Sequence, residues 1–135
     1  MIERTGLEVI DVTECWDLLA TRSVGRLAVS VMNRPDIFPV NYRVVDGSLL
    51  LRTAAGMKLA AATLGTAIAF EVDELDEETH HGWSIVIHGT AHEVSGVEDR
   101  LQAEDAAVEP WADSQKDRFV RIDVDEITGR RIPDE

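Results

Sequence analysis

The dipeptide Asp46-Gly47 sets the local fold of this 135-residue chain, because it lies between two runs of strand-forming residues, DIFPVNYRVV and SLLLRT. A dipeptide of this kind favours the two-residue turn whose twist matches that of a β-hairpin. The pattern predicts antiparallel strands over residues 36–45 and 48–53. Pro39 lies inside the first strand and has no N–H to donate, so one side of the strand there is an edge, a bulge or open to a ligand.

Four further segments have the apolar pattern of strands. They cover residues 24–32, 66–72, 83–94 and 118–127. Gly89 indicates a bend or bulge in the third of these segments. Short helices are predicted over residues 11–22, 56–64 and 96–108. Asp11 or Thr13 can cap the first helix. Six antiparallel strands with short flanking helices predict a mainly β fold, a small barrel whose closure removes exposed edges.

The charge balance of the chain narrows the classes of partner. The net charge is -13 and the pI is near 4.6, which argues against a nucleic-acid surface and against binding to anionic membranes. Cys15 is the only cysteine, so no intrachain disulfide forms, and we expect a small buried side chain there. No apolar run approaches transmembrane length and the N-terminus lacks a signal-peptide core. We therefore expect a cytoplasmic protein with one domain, residues 1–135.

A candidate phosphate site follows the hairpin. Arg52, Thr53 and Lys58 cluster around the loop Ala54-Ala55-Gly56, and the predicted helix begins there. A helix N-terminus presents unpaired N–H groups and a positive dipole end to an anion. An arginine can bind phosphate oxygens bidentately, and a lysine adds a compact positive charge. The cluster predicts a phosphate-bearing cofactor, although a solvated loop with two surface cations would have the same composition.

Other polar groups give weaker signals. His80 and His81 lie in a predicted acidic loop over residues 73–82, but these side chains are contiguous rather than spaced on a rigid face, and we expect a solvated loop. His88 and His92 fall on one face of a strand without an obvious third ligand, so no metal site is predicted. Nucleophilic hydrolysis is disfavoured because no G-x-S-x-G motif is present. Trp83 and Trp111 are flat apolar side chains that either cover a planar ligand or pack in a core or a dimer contact.

Several of these segments together resemble a known family. The motifs are GRLAVSV, DIFPVNYRV, DG followed by LLLRTAAGMKL, AFEVD, GWSIVIHGTAHEV and the ending WADSQKDRFVRIDVDEITGRRI. They resemble the pyridoxamine 5'-phosphate oxidase-like superfamily of flavin-binding split barrels, in its actinobacterial form, over almost the whole chain. The resemblance implies a six-stranded Greek-key split barrel and a homodimer. It also implies FMN in a groove at the subunit interface.

The resemblance also implies roles for individual residues. The segment made of Pro39, Val40, Asn41 and Tyr42 would run along the isoalloxazine ring. Ser84, next to Trp83, matches a position from which a polar side chain approaches the flavin across the dimer. Trp111 would cap the ring.

The resemblance also implies separate roles for the residues of the predicted phosphate site. Arg52 and Thr53 match the strand end that meets the ribityl chain and the phosphate, and Lys58 matches the cationic phosphate ligand. Leu59 stands where the family usually has a second cation, which would weaken the hold on an FMN phosphate or indicate another cofactor.

The activity that the resemblance implies is that of an FMN-dependent oxidoreductase acting on a small molecule. Pyridoxamine 5'-phosphate oxidases themselves carry a C-terminal segment with Arg and Trp that grips the substrate phosphate. This chain has only Arg130 and Arg131 near its end, so the substrate is left open. The alternatives are a reductase that uses the deazaflavin coenzyme F-420 and a non-catalytic flavin-binding or sensor module.

Overall fold

The computed structural model describes residues 1–53, 65–94 and 118–133. Within these ranges the chain forms seven strands and one helix. In chain order they are β1 (Glu8–Ile10), α1 (Val12–Leu19), β2 (Val24–Val31), β3 (Arg34–Val45), β4 (Ser48–Thr53), β5 (Ala67–Asp76), β6 (His81–Glu93) and β7 (Arg118–Arg131). The helices predicted over residues 56–64 and 96–108 lie outside the described residues.

The strands form a closed antiparallel barrel. Their order in the sheet is β1-β7-β4-β3-β2-β5-β6, and β6 also pairs with β7. Six strands therefore close the barrel, and β1 adds a short seventh strand beside the end of β7. Strand β5 returns to lie beside β2, the first strand of the β2–β3–β4 meander, which is the Greek-key arrangement. The predicted fold class is confirmed, and β1 was not predicted.

Helix α1 begins and packs as the sequence indicates. The Asp11 carboxylate accepts a hydrogen bond from the backbone N–H of Glu14 at 2.9 Å, so Asp11 rather than Thr13 is the cap. Cys15 and Leu19 are fully buried, as expected for the apolar face of the helix. A Cβ at Gly129 of β7 would lie 2.6 Å from the sulfur of Cys15, so a glycine is required where the helix packs on the barrel.

Alternate residues of each strand fill the barrel. The largest fully buried side chains include Phe70, Leu27, Leu49, Leu51, Ile85, Ile87 and Ile122. Gly25 makes room for one of them, because a Cβ there would lie 2.3 Å from the ring of Phe70. The predicted hairpin turn is present, with a φ of 47° at Asp46 and 74° at Gly47.

The irregularity predicted at Gly89 lies between β6 and β7. His88 pairs with Glu126 whereas Gly89 pairs with Val124, so the extra residue, Asp125, belongs to β7. A Cβ at Gly89 would lie 2.1 Å from the carbonyl oxygen of Asp123. The glycine thus permits the close approach of the partner backbone at the bulge.

The predicted bounds of β5, β6 and β7 were wrong. The acidic loop over residues 73–82 is mostly strand, because β5 continues to Asp76 and β6 begins at His81, which leaves a turn over residues 77–80. The ladder between Asp73 and Ser84 and between Asp76 and His81 outweighs the acidic composition that indicated a loop. Strand β7 likewise extends to Arg131, past Gly129, instead of ending at residue 127.

Candidate functional site

The segment predicted to meet a flavin ring presents two different faces. Val40 and Tyr42 point into the barrel, where they are 7% and 3% exposed and belong to the main core cluster. Pro39 and Asn41 alternate with them and therefore point outward. Of the four side chains in this segment, those of Pro39 and Asn41 lie on the outer face of β3.

Tyr42 is held in the core by two contacts. Its hydroxyl donates a hydrogen bond to the carbonyl oxygen of Leu19 near the end of α1. Its ring meets the ring of Phe70 edge to face, with centroids 5.1 Å apart. Burial raises the pKa of the Tyr42 phenol. These contacts explain why the side chain of Tyr42 joins α1 to the barrel and does not face the outer surface.

Pro39 lies on an open edge of β3. The N–H of Tyr42 donates to the carbonyl of Ser23 at 3.0 Å, so the alternation of an antiparallel ladder turns the nitrogen of Pro39 away from β2. On that other side β4 pairs only with residues 41–45. Within the described ranges, the edge of β3 at Pro39 therefore has no partner strand. The predicted edge is confirmed, and a ligand beside it stays a prediction.

Asn41, Arg52 and Phe119 form an outward row across three strands, which we call the polar row. Asn41 is in register with Arg52, and Arg52 is in register with Phe119 of β7. Asn41 is 6% exposed, whereas Arg52 is half-buried. The Arg52 guanidinium carbon lies 5.5 Å from the centroid of the Phe119 ring. The predicted cation is thus fixed next to a buried amide and over an aromatic ring.

The remaining part of the predicted phosphate site is only partly described. Thr53 ends β4, in backbone register with Arg118. Lys58 and Leu59 lie outside the described residues, as does Trp111. Their predicted roles therefore stay predictions.

Trp83 and Ser84 lie far from Arg52 in the same chain. Along β7, Arg52 is in register with Phe119 near one end of the strand, whereas Ser84 is in register with Arg130 near the other end. Trp83 packs against the main core from its end of β6. The structure does not bring these two residues to the polar row within one chain, and their approach from a second subunit stays a prediction.

A charged cluster that the sequence did not predict lies on the outward face of β2 and β5. The Arg26 guanidinium lies 3.0 Å from a carboxylate oxygen of Glu71 and 3.2 Å from one of Asp73. Burial, together with the neighbouring Asp73 carboxyl, raises the pKa of Glu71 to about 7, although Arg26 acts in the opposite direction. Arg26 and Glu71 are 45 residues apart, so the cluster depends on the β2–β5 register.

A shallow apolar cavity of about 380 Å³ adjoins this charged cluster. Ala28, Ile37 and Ala69 contribute its apolar walls, and Ile37 is 66% exposed. A second cavity, of about 580 Å³, lies where α1 meets β2 and β3 and includes Arg22 and Arg43 in its lining. The first cavity lies on the outward face of β3 that also carries Pro39 and Asn41.

The histidines on β6 are at the surface. His88 and His92 are exposed, and the Nε2 atom of His92 lies 3.0 Å from a carboxylate oxygen of Asp123. Among the described residues, no group of three His, Cys, Asp or Glu side chains is arranged to hold a metal ion. In the same ranges, no helix is long and apolar enough to cross a bilayer.

A closed antiparallel Greek-key barrel with an outward polar row defines the general class of the protein, a split-barrel domain. The sequence profile of the family described as pyridoxamine 5'-phosphate oxidase matches residues 11–131. The chain therefore belongs to the pyridoxamine 5'-phosphate oxidase family, which confirms the resemblance.

Individual relatives agree with this assignment. An uncharacterized protein of Mycobacterium tuberculosis is 35% identical over 128 residues, which cover 91% of this chain and 84% of the relative. The structure of the FAD binding protein from Mycobacterium smegmatis superposes with a TM-score of 0.80 at 37% identity, covering 93% of this chain and 100% of that protein. A FAD-binding protein of Mesorhizobium loti superposes with a TM-score of 0.74 at 25% identity, covering 93% and 97%.

Proposed function

We propose that this protein binds a flavin nucleotide on the outer face of β3 and β4 and is an oxidoreductase that acts on a small molecule. The observation that carries the proposal is the polar row, in which Arg52 lies over Phe119 and beside the buried Asn41. The family assignment and the two FAD-binding relatives support it.

The donors on this face fit a flavin nucleotide. The guanidinium of Arg52 offers N–H groups in a planar fork that matches phosphate oxygens. The open edge of β3 presents the carbonyl of Pro39 and the backbone groups of Ile37, which suit the donors and acceptors of the pyrimidine edge of a flavin. When bound, the flavin would supply the hydride or electron transfer, and the chain would bind it, orient it and exclude water.

Two arguments bear on which flavin is bound, and they favour different cofactors. The family resemblance implied FMN, and the cluster of Arg52, Thr53 and Lys58 predicted a cofactor that carries a phosphate. The names of the relatives from M. smegmatis and M. loti favour FAD, whose second phosphate would need further donors. The deazaflavin F-420 remains the alternative. Release of the cofactor by denaturation, followed by chromatography and mass spectrometry, distinguishes the three.

Titration of the apoprotein with FMN and with riboflavin tests the proposal. We expect FMN to bind more tightly than riboflavin, since only FMN has a phosphate for Arg52. Arg52→Gln should weaken FMN binding by about 10- to 100-fold, the size of a charge-assisted hydrogen bond, and leave riboflavin binding almost unchanged. A wild-type protein that binds FMN, FAD and riboflavin no better than it binds an unrelated planar dye would overturn the assignment.

We also propose that the flavin site is completed in a homodimer. Ser84 and Trp83 are in register with one end of β7, whereas Arg52 is in register with Phe119 near its other end, so we expect them to approach a flavin at the polar row from a second subunit. The exposed side chain of Ile37 and the apolar cavity beside it offer a surface for that subunit.

A further inference from the structure

The contact between Arg52 and Phe119 is built into the barrel. The two residues are register partners on the adjacent strands β4 and β7, so the ladder itself brings their side chains to the same face. The guanidinium carbon of Arg52 lies 5.5 Å from the ring centroid, which is within the range of a cation–π interaction. The contact therefore follows from the strand pairing and does not depend on the rotamer of an exposed side chain.

The ring of Phe119 is itself held in place. Phe119 is 3% exposed and packs with Leu50 and Val94, with Val45 at the margin, in an apolar cluster separate from the barrel core. Since Phe119 points outward from the sheet, the barrel interior does not need this ring. A buried aromatic side chain on the outer face can hold a neighbouring side chain in one position.

An aromatic neighbour affects an arginine differently from a carboxylate. Arg26 and Arg130 meet the carboxylates of Glu71 and Glu3, which offset their positive charge. A ring attracts the guanidinium through its quadrupole without adding negative charge, and stacking uses the face of the guanidinium rather than its in-plane N–H groups. The contact with Phe119 thus orients Arg52 without adding a negative charge beside it.

We infer that Phe119 is a positioning residue that holds the guanidinium of Arg52 toward the phosphate of the bound flavin. The inference rests on the proposed function, because it assigns Phe119 a part in the same site. The buried amide of Asn41 borders Arg52 on its other side, so the guanidinium lies between two fixed side chains.

The test is the ratio of the dissociation constants of riboflavin and FMN, which measures the preference for a phosphate. Phe119→Leu keeps an apolar side chain in the cluster but removes the ring. We expect it to reduce the ratio about fivefold, the size of a cation–π contact. Riboflavin binding should stay the same. Phe119→Tyr retains the ring and should retain the preference.

Leu50→Ala is the matched control, since it loosens the same apolar cluster and keeps the ring under Arg52. It should leave the ratio unchanged even if it lowers stability. The Arg52 side-chain N–H signal in an NMR spectrum gives a readout without any flavin, because the ring current of Phe119 shifts it in the wild type and not in Phe119→Leu.

The outcomes separate the two proposals. If the wild type prefers FMN and Phe119→Leu keeps that preference, or if Leu50→Ala loses it equally, the positioning role is wrong and the proposed function stands. If the wild type binds neither flavin, the proposed function fails, and the positioning role fails with it.

Discussion

Tyr42 is the only tyrosine of the chain, so its ionisation can be followed without interference from another phenol. Burial raises its pKa above the ordinary value, and its hydroxyl donates to the carbonyl of Leu19. A free tyrosine titrates at about pH 10. We expect the folded protein to show no phenolate absorbance near that pH. Spectrophotometric titration of the native and the urea-unfolded protein checks this.

The same group predicts the direction of alkaline destabilisation. Because the phenolate is favoured only in the unfolded chain, the stability contributed by Tyr42 is lost as the pH rises above about 10. Tyr42→Phe removes the titrating group, and it should also cost about 1 kcal/mol at neutral pH through the lost hydrogen bond. A native titration curve that matches the unfolded one would contradict the buried position of Tyr42.

The inward or outward direction of single residues was partly within reach of the sequence. Strict alternation along β3 places Pro39 with Asn41 and Val40 with Tyr42, so the split of the predicted ring-binding segment follows from the strand assignment. The face of Phe119 could not be read in the same way, because the adjacent residues Phe119 and Val120 are both apolar and both buried. The pairing with Arg52 and the packing with Leu50 outside the barrel core show that Phe119 points outward.

Glu71, on the ladder between β2 and β5, should make the stability of the protein depend on pH in a second way. The pKa of Glu71 rises from its ordinary value of 4.5 to about 7, mainly through burial and then through Asp73. A raised carboxyl pKa means that the folded state favours the protonated form. The stability contributed by protonated Glu71 is therefore fully present below about pH 4.5 and is lost as the pH rises through about 7.

Glu71→Gln should remove this loss, because the amide cannot ionise. As the pH rises from 5 to 8, the free energy of unfolding of Glu71→Gln should therefore increase relative to that of the wild type. Urea unfolding at several values of pH measures both. Glu77→Gln, in the exposed turn between β5 and β6, controls for the change in net charge. A pH-independent difference for Glu71→Gln would show that the carboxyl is not perturbed.

Elements with a strong local signal were predicted well. The hairpin at Asp46-Gly47 and the capped helix α1 depend on a few neighbouring residues, and both are present. The ends of β5, β6 and β7 depend on long-range ladders instead, and the sequence misplaced them. Strand β1 is three residues long and pairs with residues 129–131, so its existence is decided by a contact across almost the entire chain.

Closure of the barrel explains why the candidate site was harder to predict than the fold. The polar row joins residues from β3, β4 and β7, and the charged cluster joins β2 and β5, so both sites depend on register rather than on a local motif. Closure also turns the alternate side chains of six strands outward, where they need solvent or another partner. Ile37 is the clearest of these apolar side chains, with 66% of its surface exposed.

If a second copy of the chain docks on this outward face, two substitutions should have different effects on the dimer. Ile37→Glu places a charge next to the apolar cavity, where docking would desolvate it, and should convert a dimer to a monomer. Met32→Glu adds the same charge at a turn in which Met32 is 92% exposed, and it should leave the dimer intact. Sedimentation velocity at matched concentrations measures both, and flavin affinity should fall only in Ile37→Glu if the second subunit completes the site. A wild type that sediments as a monomer at every concentration, or an Ile37→Glu variant that remains a dimer, would exclude this face as the subunit interface.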